Sequence, residues 1–227
     1  RNFRWQGRVH EAIVPSGSIL YSPIEISHQK LGTGDKDRNL RIYESMLREG
    51  SVLTPRELFY YGRELYFHEH FSEAAAVLSM FLKEPAGWLE NKIDACLLLS
   101  QCHSRLGQTE EAMADLTRSF IYSPPRGEAC CALGGLMLEG GRLGDAVYWY
   151  ERALASMPDE TPGAFVQKDC YDFLPLIQLC VCWDRLGDKK KALAYHRQAQ
   201  ALKPQDPSVK ANELYFSSLG LEISSEI

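Results

Sequence analysis

The sequence predicts an all-α fold: a solenoid of about four helical hairpins plus a capping helix, preceded by a short β-β-α segment. Three observations carry that prediction. One triplet recurs with fixed spacing, as Gly107…Ala112…Pro124, Gly141…Ala146…Pro158 and Gly187…Ala192…Pro204. Ala112 and Ala146 stand 34 residues apart, a period typical of helical repeat proteins. A bulky residue followed by a small one also precedes each alanine by the same interval, as Leu99-Ser100, Leu133-Gly134 and Leu179-Cys180. Each letter has a physical task. Glycine supplies the positive φ that turns the chain after a first helix. Alanine lets the second helix cross close to the first, against the small residue there. Proline ends the second helix because it cannot donate the next backbone hydrogen bond.

Residues 1–54 carry no repeat. Val9–Ile13 and Ile19–His28 read as short strands, with Ile24, Ile26 and His28 alternating on one face and Pro15-Ser16-Gly17 turning the chain between them. Asp37–Glu49 reads as an amphipathic helix with Leu40, Tyr43 and Leu47 on one side. Two strands and one helix do not make a stable domain alone. The segment therefore reads as the end of a domain, with a repeat domain following over 55–220.

Within that domain the register predicts helices over 55–69 and 72–83, 91–105 and 109–121, 127–139 and 143–156, then 169–185 and 189–202. The first pair is a degraded copy. Gly62 and Ala74 keep the small positions, but Glu69 stands where the others have glycine and Pro85 falls one position early. Atypical end repeats are expected in solenoids. Between Ala146 and Ala192 lie 46 residues, an excess of twelve that falls near Asp159–Lys168. It is either a Pro/Gly-containing loop or a longer first helix, and as a loop either a binding loop or a plain connection. Segment 206–219 reads as the capping helix, with Asp206-Pro207 as cap and first turn. Val209, Leu214, Tyr215 and Leu219 are its covering residues, and 221–227 is expected to be a flexible C-terminus.

Bulk composition narrows the function. The chain has 227 residues and a net charge of −5, which argues against a nucleic-acid or membrane-surface binder. No apolar run approaches the roughly 20 residues of a bilayer span. Arg1 through Ser27 lacks the basic start and apolar stretch of a signal peptide, and Arg1 in place of methionine points to a piece of something longer. Seven cysteines are an odd number, and most fall inside predicted helices. Cys180 and Cys182 point to different helix faces, so they read as small hydrophobes rather than a metal pair. A reducing cytoplasm is the expected setting.

The Gly/Ala/Pro register and its period resemble the tetratricopeptide repeat. That resemblance implies a binding face built from the first helices, holding a protein or peptide. By register, the inward residues include Arg56, Phe59, Arg63 and Tyr66 in the first copy, then Gln101 and Arg105, Leu138, and Arg185. They leave an aromatic and arginine end and an apolar end at Leu174, Ile177 and Val181. For both ends, packing against neighbouring structure is the alternative to a held peptide. The Lys/Asn set with which chaperone-adaptor members clamp a C-terminal carboxylate is missing.

The N-terminal motifs Trp5-Gln6-Gly7-Arg8-Val9-His10-Glu11, Ile26-Ser27-His28 and Arg38-Asn39 resemble the closing part of family-2 glycosyltransferases. The likeness is to bacterial enzymes whose catalytic domain is followed by tetratricopeptide repeats. It implies that His28 approaches a divalent metal (manganese or magnesium) or the diphosphate of a nucleotide sugar, that His10 and Glu11 lie near donor or acceptor, and that Arg38 meets phosphate. For His10 and His28 the alternative is a hydrogen-bonded strand histidine. The catalytic core and its Asp-x-Asp motif are absent. Asp35-Lys36-Asp37 matches by letters only, without the apolar strand the motif needs. The chain alone is therefore expected to be inactive and without cofactor. It reads as a non-catalytic module that organises an acceptor, binds a protein, or contacts the parent's own catalytic domain. The alternative is a stand-alone repeat scaffold with residues 1–54 as an N-terminal cap.

Overall fold

The computed structural model describes residues 5–13, 17–18, 20, 27, 35–159 and 163–220. The strand expected over Ile19–His28, His28 itself and the 221–227 tail fall wholly or largely outside the described residues. Ten α-helices and one two-stranded ribbon are present among those described. They form two compact units, Arg1–Gly87 and Trp88–Ile227. The division follows the first hairpin, not residue 54, because the N-terminal segment and that hairpin share one core.

In the first unit β1 (Trp5–Gln6) pairs antiparallel with β2 (Ala12–Ile13), Trp5 opposite Ile13. The strand expected over Val9–Ile13 is therefore shorter. Gly7 (φ 95) and His10 (φ 51) bend the chain between the two short strands. Helix α1 (Arg38–Arg48) buries Leu40, Tyr43 and Met46, while the expected Leu47 is exposed. Val9, Tyr43, Met46 and Leu53 make one cluster, against which Leu58, Tyr60 and Tyr61 pack. Helix α2 (Pro55–Phe67) starts at a capping box. The Thr54 hydroxyl accepts from the Glu57 amide at 3.3 Å, and the Glu57 carboxylate accepts from the Thr54 amide at 2.8 Å. Helix α3 (Phe71–Phe81) crosses it at Gly62, where an added Cβ would stand 2.7 Å from the Leu78 side chain.

The second unit repeats one hairpin three times: α4 (Leu89–Arg105) with α5 (Thr109–Arg118), α6 (Gly127–Glu139) with α7 (Leu143–Ala155), and α8 (Phe173–Arg185) with α9 (Lys189–Leu202). The first helices stand side by side, α6 touching both α4 and α8. Every alanine of the triplet is fully buried, as are or nearly are Ser100, Gly134 and Cys180 opposite. The turns share one geometry. Gly107, Gly141 and Gly187 have φ between 72 and 87, and the next amide bonds back to a carbonyl five residues earlier at 2.8–2.9 Å. Helix α5 runs on as a 3-10 turn, Ser119–Ile121.

The described residues of the twelve-residue excess, 157–159 and 163–167, form no helix and lead into a separate 3-10 turn, Lys168–Tyr171, so α8 begins at Phe173 and not at 169. Helix α10 (Pro207–Ser218) is capped by Asp206, whose carboxylate accepts from the Ser208 amide at 2.8 Å. Val209 and Phe216 seal the last hairpin. Leu214, Tyr215 and Leu219, expected to share that work, remain exposed. All seven cysteines are free and buried. Burial pushes the Cys96 and Cys180 thiols up to about 12 and Cys102, Cys130 and Cys182 up to about 11, which keeps them protonated and inert.

Candidate functional site

The repeat register aligns one face of α4, α6 and α8 in rows: Asp94, Glu128 and Leu174; Leu97, Cys131 and Ile177; Gln101, Gly135 and Val181; Arg105, Glu139 and Arg185. The two halves of this face differ. Toward the helix C-termini Gln101, Arg105, Glu139 and Arg185 are exposed, with Leu138 and Val181 half-buried between them. Nearby, Asp184 is held by the Lys189 ammonium at 2.5 Å and the Tyr215 hydroxyl at 3.0 Å. Toward the N-termini Leu97, Glu128, Cys131 and Ile177 are buried.

The cover over α4 and α6 is the insert after α7. Glu128 accepts from the Gln167 backbone amide at 2.8 Å and from the Tyr171 hydroxyl at 2.5 Å. The Cys131 thiol donates to the Cys170 carbonyl at 3.3 Å. An added Cβ on Gly127 would lie 2.8 Å from that same carbonyl, so the backbones approach as closely as glycine permits. Arg126 forks onto Glu90 at 2.6 and 3.0 Å and reaches Asp159 of the insert at 3.6 Å. The hydrogen bonds that Arg126 donates to Glu90 raise its pKa above the ordinary value, and burial, helped by Glu128, raises that of Tyr171. Phe165 shares a narrow cleft with Ile93, Asp94 and Leu97, in which about 10 Å³ remains open. The repeat register by itself puts Glu128 on this face, but it does not reach Phe165 and Tyr171, which belong to the insert. The usable signal was an acidic residue on an otherwise apolar helix start, one repeat before an unexplained insertion.

In the first unit the predicted residues are bound up in packing. Phe59 is fully buried against Phe81, so the expectation that it meets a partner is corrected: it belongs to the core. The Arg63 guanidinium lies between 5.7 and 5.8 Å from the Phe59, Tyr60 and Phe67 rings. Arg56 sits 4.8 Å over Tyr60 and donates to the His10 carbonyl at 3.2 Å, while Tyr66 packs edge-on to Phe67 and Phe71. His10 stacks on Tyr60 at 4.2 Å and meets Glu64 at 3.0 Å, which clasps the ribbon to α2. Asn39 donates to the same carboxylate at 3.0 Å. Glu11 is exposed, and Arg38 donates to Asn39 at 3.2 Å. His28 lies outside the described residues.

Asp35 is paired with Arg41 and Asp37 contacts the His68 ring, so both carboxylates of the Asp-x-Asp look-alike are already engaged by side chains. Among the described residues no group of three or more His, Cys, Asp or Glu side chains is arranged to hold a metal ion. None of the described helices is long and apolar enough to cross a membrane. A cavity of about 320 Å³ lies between the ribbon and the start of α2, lined by Val9, Ala12, Tyr43, Arg56 and Tyr60 among others.

A family model described as tetratricopeptide repeat matches residues 93–120, the span of α4 and α5. No curated protein matches the chain. Among solved structures, PilW, described as a type IV pilus biogenesis factor, aligns with a TM-score of 0.58 at 21% identity, covering 78% of this chain and 81% of its own. PilF of Pseudomonas aeruginosa aligns with a TM-score of 0.56 at 13% identity, covering 79% and 82%. YrrB, described as a TPR protein with an unusual peptide-binding site, aligns with a TM-score of 0.55 at 17% identity, covering 79% and 84%. At these identities the likeness is one of fold: a tetratricopeptide-repeat solenoid, preceded here by a small two-stranded ribbon.

Proposed function

We propose that the chain is a peptide- or protein-binding scaffold whose partner lies along the face of α4, α6 and α8. One observation carries the reading: that face already grips main-chain groups of the chain, at the start and in the body of the 3-10 turn Lys168–Tyr171. Glu128 accepts from an amide of the insert and the Cys131 thiol donates a hydrogen bond to a carbonyl, the contacts by which a groove recognises main chain independently of sequence. The peptide-binding site of the structurally similar YrrB supports the same use of the fold. Exposed Arg105 and Arg185 favour an acidic segment. Seven free, buried cysteines accord with a reducing, cytoplasmic setting. Selection of displayed 12-residue peptides tests the reading. Replacing Arg105 and Arg185 with alanine is expected to weaken a selected peptide, and replacing Arg152 and Arg197 on the second helices is not. The reverse pattern contradicts the site.

A finer reading makes the scaffold the acceptor-organising module of a family-2 glycosyltransferase. It rests on the resemblance of the Trp5–Glu11 motif alone; the packing of residues 5–13 onto α1 and α2 as part of one unit suits this reading and the cap of a stand-alone scaffold alike. Metal and nucleotide sugar then belong to the parent's catalytic domain, not to the residues described. Titration of the full-length parent with a nucleotide sugar and manganese is the test, and a parent that binds none overturns it.

A further inference from the structure

The described residues of the insert between α7 and α8, 157–159 and 163–171, contact the N-terminal half of the face, and those contacts specify what could replace them. They fall in two groups. The anchor is deep: Cys170 and Tyr171 are buried, and their bonds to Cys131 and Glu128 tie the 3-10 turn to α6. The arm before it is shallow. Met157 is 85% exposed and Phe165 45% exposed, so the arm buries little area for its length. What holds it is a short set of contacts. Asp159 reaches Arg126 at 3.6 Å, Gly163 packs against Trp88 too closely for a side chain, and Phe165 enters the cleft beside Ile93 and Leu97. Glu90 takes both arms of the Arg126 fork and orients it, so a second carboxylate docking at its Nη2 edge, as Asp159 does, meets a guanidinium that needs no reordering.

We infer that this half-face is a binding site for an extended acidic-aromatic peptide, and that Asp159 and residues 163–167 of the chain itself occupy it as a displaceable internal ligand. The peptide presents a carboxylate to Arg126 and, six residues later, an aromatic ring to the Ile93–Leu97 cleft, with a backbone amide beyond it for Glu128. The inference rests on the scaffold reading but concerns a different part of the face from Arg105 and Arg185, so either can fail alone. An incoming partner competes with a tethered segment whose effective concentration is high. Binding is therefore weak until the arm lifts, and the C-terminal half of the face stays open throughout.

The probe is a fluorescent peptide of residues 157–169 added to the full chain. In one variant residues 159–166 are replaced by eight Gly/Ser residues, leaving the Lys168–Tyr171 anchor intact. The peptide is expected to bind this variant at least about tenfold more tightly than the unaltered chain. The same peptide with alanine at the Phe165 position is expected to lose about tenfold. Equal binding to variant and unaltered chain, or no binding to a variant that melts cooperatively, overturns the inference. Should the linker variant fail to fold, Phe165→Ala replaces it. Its thermal transition should survive, and it should bind the peptide more tightly than the unaltered chain; unchanged binding again overturns the inference.

Discussion

Gly134 and Gly135 are adjacent in α6 and have opposite physical roles. A Cβ on Gly134 would stand 2.8 Å from the ring of Tyr150, which is only 2% exposed and has nowhere to move. A Cβ on Gly135 would meet only the Tyr150 hydroxyl, at an ordinary 3.8 Å. Gly134→Ala is therefore expected to destabilise the chain by about 1–3 kcal/mol through overpacking. Gly135→Ala is expected to stabilise it by about 0.5–1 kcal/mol, the usual gain of alanine over glycine inside a helix. Urea unfolding of the two variants measures both, and equal shifts would show that the hairpin crossing is not tight. The small residue at 134 was legible in the sequence because its counterparts recur at Ser100 and Cys180. Glu69 was legible in the same way. It occupies the turn-glycine position and adopts φ 62, with the His70 amide reaching the Leu65 carbonyl at 2.9 Å, so position dictates the turn even without glycine.

At the scale of elements, α10 closes the last hairpin over a histidine. His196 on α9 is fully buried beside Phe216, and neither ring nitrogen has a partner among the described residues. Burial lowers its pKa. Arg197 on α9 lowers it further, while Glu213 on α10 opposes both. In the unfolded chain the ring takes a proton near the ordinary value of about 6.5. Below that pH the unfolded state binds more protons than the folded one, so stability falls as pH drops toward the lower folded pKa. His68 works the other way. The Glu64 carbonyl and Asp37 raise its pKa, so its contribution is full below the ordinary value and is lost as pH rises. His196→Leu is expected to lose less stability between pH 7 and pH 5 than the unaltered chain, because His68 is common to both. An equal loss would place the pH sensitivity elsewhere. The helices were readable because turn, crossing and stop residues are local. The insert was not: its path is set by Glu128 and Arg126 more than thirty residues away, and no periodicity marks a segment that packs irregularly. The covering side of α10 was misjudged for a related reason, since Leu214 and Phe216 differ only in which one meets Cys180 and Ala192.

At the scale of the molecule, the sequence motifs at the N-terminus and the repeats meet in one unit and separate from the other three hairpins at Gly87. His10 and Arg56, singled out for chemistry and for binding, are spent joining ribbon to helix. In the second unit the exposed residues of the first helices cluster around Arg105, Leu138 and Arg185. The central claim is that an acidic segment lies there. It is tested most directly by the affinity of a display-selected acidic peptide for the Arg105→Ala, Arg185→Ala double variant as salt is varied. The account predicts an affinity about tenfold weaker than that of the unaltered chain at low salt, with a visibly shallower salt dependence. Unchanged affinity with an unchanged salt slope would contradict it.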